Sequence, residues 1–488
     1  MRVLVALLAN ALFNFLIGLA VARFLGPAEF GRFALAVALA LVIQVALFDW
    51  IRLAAIRFYS VDTRRDEPEV RATLDMGYVA VVLFLLAAAG LVIAFGPTFA
   101  LTPVLIGLAL VAAMVNGLFD YSTGLLRASF QDRLYARLVV IKNALALCLT
   151  VGGALLLHSS TSALAGSVLS LGGAVILIRS ALADPASTAR LASWPLARKY
   201  LAYAAPIIVA NLFYLVVPLI NRAVVTKLFG FAETGQFSLA WDFGARSLQA
   251  VGSALDVVLF QMAVAVHARE GVEPARAQVS KNLGLMIAVL LPSTLGIWLV
   301  LPSIEQLLVA EAFRGPFSDY VTLLLPGLFA LSLASYGVNP AFQIEKRTAP
   351  MIFAAALGCA GTPLFLLFLP PDATAGMLAL VQSGAYLLSL VMLIGFAVAK
   401  AGLRWPPARD LLTAVTGSAL LVATGLPLRA LSPGVLTLVL QVATGALVFG
   451  GVAFALDLGG YRAMVLDVAR RLLRRSAPTP STFIDRQA

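Results

Sequence analysis

Residues 21–36, VARFLGPAEFGRFALA, return 204 positions later as residues 225–240, VTKLFGFAETGQFSLA. Eight of the sixteen positions are identical, and Lys227 keeps the charge of Arg23. In a chain rich in Ala and Leu some matches are free, but Gly-x-Ala-Glu-x-Gly-x-Phe is not. The chain therefore reads as two copies of one unit. Each copy carries a tight turn, and in the first Pro27 enforces it with a fixed φ and no N–H. Glu29 falls just past Pro27, where a carboxylate suits the exposed N–H groups of the next helix.

The surroundings of the two copies set the fold class. Of 488 residues 61% are hydrophobic and only 12% charged, and the mean hydropathy is +0.96. Ordinary soluble chains are roughly a quarter charged. The apolar residues come in blocks of about 20, the length that spans ~30 Å of hydrocarbon. Fourteen blocks run near 3–24, 33–55, 75–95, 101–126, 135–157, 161–181, 201–221, 236–262, 281–301, 320–343, 350–369, 374–398, 410–427 and 435–456. Without water each must satisfy its own backbone, so each reads as a helix. Prolines 206, 218, 292, 326, 340 and 363 are expected to kink or unwind them. The expected architecture is an all-α polytopic membrane protein of two pseudo-symmetric six-helix bundles, residues 1–183 and 200–399. Two further spans follow at 409–457, then a basic cytoplasmic tail at 458–488 that lies against anionic headgroups or in water.

Both copies of the repeat have the same orientation, because six blocks, an even number, separate them. Such repeats are related by an axis along the membrane normal, with a transport site between them. With the N-terminus inside, inner loops hold 27 Lys and Arg and outer loops 6, while Arg52 and Arg246 fall inside spans. That ratio places both termini in the cytoplasm. It also accounts for most of the +11 net charge, so no nucleic acid partner is needed. No Gly-rich phosphate loop occurs, and the loops are too short to hold a catalytic domain. His158 and His267 fall near membrane surfaces, and Cys148 and Cys359 lack CxxC spacing. No metal or cofactor is expected, and no enzyme.

The stretch ARFLGPAEFGRFALAVA (22–38) resembles the turn between helices 1 and 2 of Wzx-type polysaccharide flippases, in the superfamily that includes lipid II flippases and MATE exporters. The matching residues are Arg23, Leu25, Gly26, Pro27, Phe30 and Gly31. The resemblance extends over nearly the whole chain in block number and loop length. It implies a flippase of a bacterial inner membrane. The cargo it implies is an undecaprenyl-pyrophosphate-linked oligosaccharide, carried to the periplasmic leaflet. Membrane lipids and a polysaccharide polymerase machinery are the implied partners.

Polar stripes inside the spans carry the site. In the eighth block Asp242, Arg246, Gln249, Ser253 and Asp256 are spaced 4, 3, 4, 3, so they share one face about 21 Å long. Asn116, Asp120, Thr123 and Arg127 do the same in the fourth. Asn211, Tyr214, Pro218 and Asn221 line the seventh, and Ser332, Ser335, Asn339 and Gln343 the tenth. Asn10 and Asn14 sit one turn apart in the first block; Gln44, Asp49 and Arg52 lie in the second. Ionisable groups cost several kcal/mol against lipid, so the stripes must face one another or water. Two readings stand: helix-to-helix glue, with Asp242–Arg246 an i,i+4 pair, or a polar cavity between the halves. Stripes this long favour the cavity.

For the cavity, the expected substrate-binding residues are Arg52, Arg246, Gln249, Asn10, Asn14, Arg23, Asn211 and Asn339. Arginine forks suit a pyrophosphate, while amides and hydroxyls suit a sugar. Arg23 also has a purely structural reading in its turn. Asp49, Asp120, Asp242 and Asp256 are expected to neutralise arginines, or one of them to carry a coupling proton. A MATE-like cation exporter is the competing function, and a membrane polymerase or ligase a more distant one. The first calls for a net acidic, aromatic site, whereas the first block has two asparagines and no acid and the last two blocks exceed that branch's usual dozen; the second calls for a large outer loop, and the longest, around 302–319, is too short for a domain.

Overall fold

The computed structural model describes residues 2–95, 100–345, 347, 349–368, 370, 372–460, 462–463 and 466, with side chains from Phe13 onward except 92–95. Among the described residues, twelve helices are long and apolar enough to cross a membrane. They are α1 (Arg2–Phe58), α2 (Pro68–Phe95), α3 (Pro103–Ala128), α4 (Asp132–Leu157), α5 (Ser160–Leu177) and α6 (Trp194–Glu270). There follow α7 (Val272–Leu308), α8 (Pro316–Ile344), α9 (Ala349–Leu367), α10 (Ala375–Ala401), α11 (Ala408–Arg429) and α12 (Val435–Ala455). The sequence blocks number fourteen, because α1 and α6 each join two of them across a sharp bend at a non-helical glycine. Most of the expected basic tail lies outside the described residues.

Both long helices bend at the repeat. Gly26 has φ 70° and ψ 173°, and Gly230 has φ 87° and ψ 179°. These are equivalent positions under the 204-residue offset, and the left-handed φ is one that glycine adopts at little cost. The bend in α1 is a hairpin. A straight helix would hold Asn14 and Gln44 about 45 Å apart. Instead Lys142 bonds Asn14 at 2.5 Å while lying within charge range of Asp120, which accepts from Gln44 at 3.0 Å. The bend in α6 is likewise closed by Arg222 and Asp242, twenty residues apart and 2.7 Å from each other. Pro206, Pro218, Pro292 and Pro326 lie inside helices, and the non-helical dihedrals inside these spans fall at the two glycines. Pro340 follows a π turn at Ala334–Val338, whose wider winding takes up the missing donor.

The two bends pack against each other. A Cβ on Gly31 would stand 2.0 Å from the Phe231 carbonyl oxygen and 2.9 Å from the Gly235 nitrogen. A Cβ on Gly235 would stand 2.0 Å from the Pro27 carbonyl and 3.1 Å from the Gly31 nitrogen. Residues 27 and 31 are the repeat partners of 231 and 235, so each copy does to the other what the other does to it. Small residues let backbones approach this closely, the usual means of joining helices without a hydrophobic driving force. Phe30 against Phe313 (5.9 Å) and Phe15 against Phe243 (5.8 Å) continue the seam on either side. One cluster of buried apolar residues, including Val21, Phe30, Phe237, Leu239 and Phe313, spans both halves at this end.

Around the seam, Glu29 caps the neighbouring helix instead of its own: it accepts from the Ser160 N–H (2.8 Å) and hydroxyl (2.7 Å) at the start of α5, and it pairs with Arg32. Its repeat partner Glu233 accepts from the Tyr320 hydroxyl in α8. The last two helices attach to α7, where Gln441 of α12 donates to the Leu299 carbonyl (3.2 Å) and Gly425 of α11 abuts the Leu299 side chain. Leu83, Phe84, Leu436 and Leu447 are each at least 61% exposed, an outer surface suited to acyl chains and not to water.

Gly31→Ala and Gly235→Ala are expected to force the halves apart at the bends, lowering stability by about 1–3 kcal/mol. Gly107→Ala, with nothing within 4 Å of its added Cβ, should leave the unfolding midpoint in detergent unchanged. Equal midpoints for all three would contradict the seam.

Candidate functional site

Below the seam the second arm of α6 changes character. From Thr234 to Ala245 it is buried almost throughout; Arg246, Gln249, Ser253 and Ala254 are exposed. The apolar seal therefore ends at the Phe15–Phe243 contact, and a polar belt begins one residue before Phe15 and three residues after Phe243. The Asn14 carbonyl accepts from Arg246 Nη1 at 2.9 Å, and its side-chain oxygen accepts from Lys142 Nζ at 2.5 Å. Lys142 also donates to Asn143 (3.0 Å) and lies within charge range of both Arg246 and Asp120. Asp120 takes the Gln44 amide and feels both Arg52 and Asp49; Arg52 Nε meets Asp49 at 2.6 Å. Both arms of α1, with α3, α4 and α6, thus bring Arg52, Lys142 and Arg246 together with two carboxylates, Asp49 and Asp120.

That belt includes five of the residues expected from the sequence: Arg52, Arg246, Asn14, Asp49 and Asp120. Gln249 lies one turn further along α6, exposed. Others fall elsewhere. Arg23 is exposed beside the bend, with no ion pair among the described residues, and Asn211 is exposed without a side-chain hydrogen bond. Asn339 is buried in α8, its Oδ1 lacking a partner. Asp256 is half-buried, within charge range of Tyr336. The side chain of Asn10 is outside the described residues.

The i,i+4 pair of the glue reading, Asp242 with Arg246, does not form among the described residues. Asp242 pairs with Arg222, whose side chain is 7% exposed and also reaches the Ala34 carbonyl of α1. Helical spacing made the i,i+4 pair plausible, but the hairpin at Gly230 brings a better-buried cation to the carboxylate. Arg222 had been counted with the outer loops, and it is more deeply buried than either Arg52 or Arg246. This leaves Arg246 with no carboxylate partner among the described residues. Lys142 was counted with the inner loops; the Lys-Asn step inside an apolar block was the available signal.

Charge sets what the belt can do. Three cations face two carboxylates, and Arg246 is held by a neutral carbonyl. Such a set favours an anion, because replacing a neutral acceptor by a charged one strengthens the bond.

The profile of the polysaccharide biosynthesis protein family matches residues 20–314, more than half of the chain. The chain belongs to that family. No curated protein matches it in sequence. Members of the MOP superfamily share its fold. It is similar to a solved structure described as the lipid II flippase MurJ in an inward closed conformation, at TM-score 0.67 and 14% identity, covering 95% of this chain and 99% of that one. It is also similar to an inward-facing multidrug resistance MATE family transporter of that superfamily, at TM-score 0.57 and 14% identity, over 80% of this chain and 94% of the other.

In this family member, Arg222→Ala should cost about 3 kcal/mol by stranding Asp242. Arg222→Ala with Asp242→Ala should recover most of that loss, and Arg246→Ala should cost under ~0.5 kcal/mol. Thermal unfolding in detergent measures all three, and a large loss in the Arg246 variant would contradict the pairing.

Proposed function

We propose that this protein is a flippase. It carries an undecaprenyl-pyrophosphate-linked oligosaccharide from the cytoplasmic to the periplasmic leaflet of a bacterial inner membrane, for surface polysaccharide synthesis. The observation that carries the reading is the cationic excess of the belt directly beneath the apolar seal, with Arg246 free of an acidic partner among the described residues. Arg246, Lys142 and Arg52 serve the pyrophosphate; Gln249, Ser253 and Asn14 serve the sugar. The tail stays in lipid. A cation exporter would want the opposite charge balance.

The orientation rests on the basic-residue bias, which survives the move of Lys142 and Arg222 out of the loop counts as 26 against 5. Transport follows from the two halves rocking about the belt, the seam at the bends parting while the other end closes. Substrate biases that motion only by binding the two states unequally. The Arg246 bond to Asn14, which joins the halves in this state, is where such a difference arises.

Deleting the protein in its host should trap undecaprenyl-linked oligosaccharide on the inner leaflet, out of reach of an impermeant periplasmic probe. Arg246→Ala should slow flipping about tenfold or more, the loss of one charge-assisted bond of ~1.5–3 kcal/mol, with Arg246→Lys in between. Full activity of the Arg52→Ala, Arg246→Ala double variant would overturn the assignment.

A further inference from the structure

The 204-residue offset reaches beyond the bends. It pairs Phe48 with Gly252, Asp49 with Ser253 and Arg52 with Asp256. The packing keeps that register. In the N-terminal half the Phe48 ring lies against Gly117 of α3, so closely that a Cβ there would stand 2.6 Å from it. In the C-terminal half ring and glycine change places, and Tyr336 of α8 lies against Gly252 at closer range still. One turn further on, α1 and α6 present equivalent faces, where Arg52 and Asp256 stand. Each is 26 residues past its bending glycine, about 39 Å along the helix. They therefore lie at matching depth, toward the end opposite the seam.

The two equivalent positions carry opposite charge, unequally held. Arg52 bonds Asp49 through Nε at 2.6 Å, lies within charge range of Asp120, and keeps its terminal nitrogens free of hydrogen bonds among the described residues. Asp256 is half-buried, with Tyr336 in charge range and neither a hydrogen bond nor a cation partner among the described residues. Its neighbours one turn away on α6 are Gly252, Ser253, Leu259 and Phe260, none of them a cation. An ionisable group left unpaired inside a span is costly, and such groups as a rule pair with one another. At the outer end the axis brings equivalent positions together, Gly31 against Gly235. Rocking that parts them closes the opposite end about the same axis, and the equivalent charges there are Arg52 and Asp256.

We propose that Asp256 is the release residue of the transport cycle: closing the inner end sets its carboxylate on the free edge of Arg52, which locks that end and withdraws the arginine from the cargo's pyrophosphate. The role in release rests on the flippase reading; the closing contact rests only on the rocking of the two halves. A carboxylate competes for the same guanidinium fork that suits a phosphate. The cargo then meets a stronger site when the inner end is open than when it is closed. That is the difference in affinity between states through which a ligand and a conformational change are coupled.

The test uses the full-length protein in sealed membranes, with Cys148 and Cys359 replaced by alanine. Arg52→Cys with Asp256→Cys should join through a short bis-thiol reagent. Arg52→Cys with Val258→Cys, two residues away and on the opposite face of α6, should not. Once the first pair is joined, a third cysteine at Ser238 should become reactive toward an impermeant reagent from the bend side. In proteoliposomes, with a polyprenyl-pyrophosphate-linked disaccharide as probe, Asp256→Asn should bind the probe at least as tightly as the parent protein. It should flip the probe about tenfold more slowly, the effect of one lost charge-assisted bond, and Asp256→Glu should recover most of the rate. Parental flipping by Asp256→Asn would overturn the release role. A Ser238 position that opens to the bend side while the 52–256 pair never joins would overturn the contact and leave the rocking intact. A Ser238 position that opens under no condition would overturn both the contact and the transport reading.

Discussion

Two glycines each stand against the backbone of the other repeat, and the rest of the molecule depends on that contact. No side chain can enter at Gly31 or Gly235 without meeting a carbonyl oxygen at 2.0 Å. Lipid offers helices no hydrophobic reason to associate, so close backbone packing and the aromatic contacts beside it must hold the halves together here. Because the contact is reciprocal, it marks an axis relating the two copies. It also closes one end of the space between them.

Closure at one end explains the position of the polar belt. The charges must avoid acyl chains, and the belt lies where the seam ends. Phe15 and Phe243 form its apolar ceiling, and Asn14 and Arg246 follow at once in sequence. Asn14 is the junction of the belt: its carbonyl holds Arg246 of the C-terminal half, and its amide oxygen holds Lys142 of the N-terminal half. Two cations on one neutral residue repel each other, a repulsion that a bound anion would relieve.

Much of this was legible in the sequence. The repeat located both bends to the residue, because Gly26 and Gly230 were matched by a pattern that only a shared backbone geometry needs. Hydropathy gave the helices, and the stripes gave Arg52, Asp49, Asp120, Asn14 and Arg246 as residues that must avoid lipid. Pairing was not legible. Helical spacing ranks only partners on the same helix, so it offers Arg246 to Asp242, whereas the hairpin brings Arg222 there. Depth was also misjudged at block ends: Lys142 and Arg222 sit one or two turns inside, where a loop count sees only charge.

Thiol reactivity in sealed membranes tests the central claim most directly. Cys148 and Cys359 are replaced by alanine, and single cysteines are placed at Ser238, fully buried within the seam, and at Ser253, exposed beyond it. A sealed seam over an open vestibule predicts that the Ser253 position reacts with an impermeant reagent from the membrane face opposite the bends alone, and that the Ser238 position reacts from neither. Rapid labelling at Ser238 from the bend side, or equal reactivity at both positions, would contradict it.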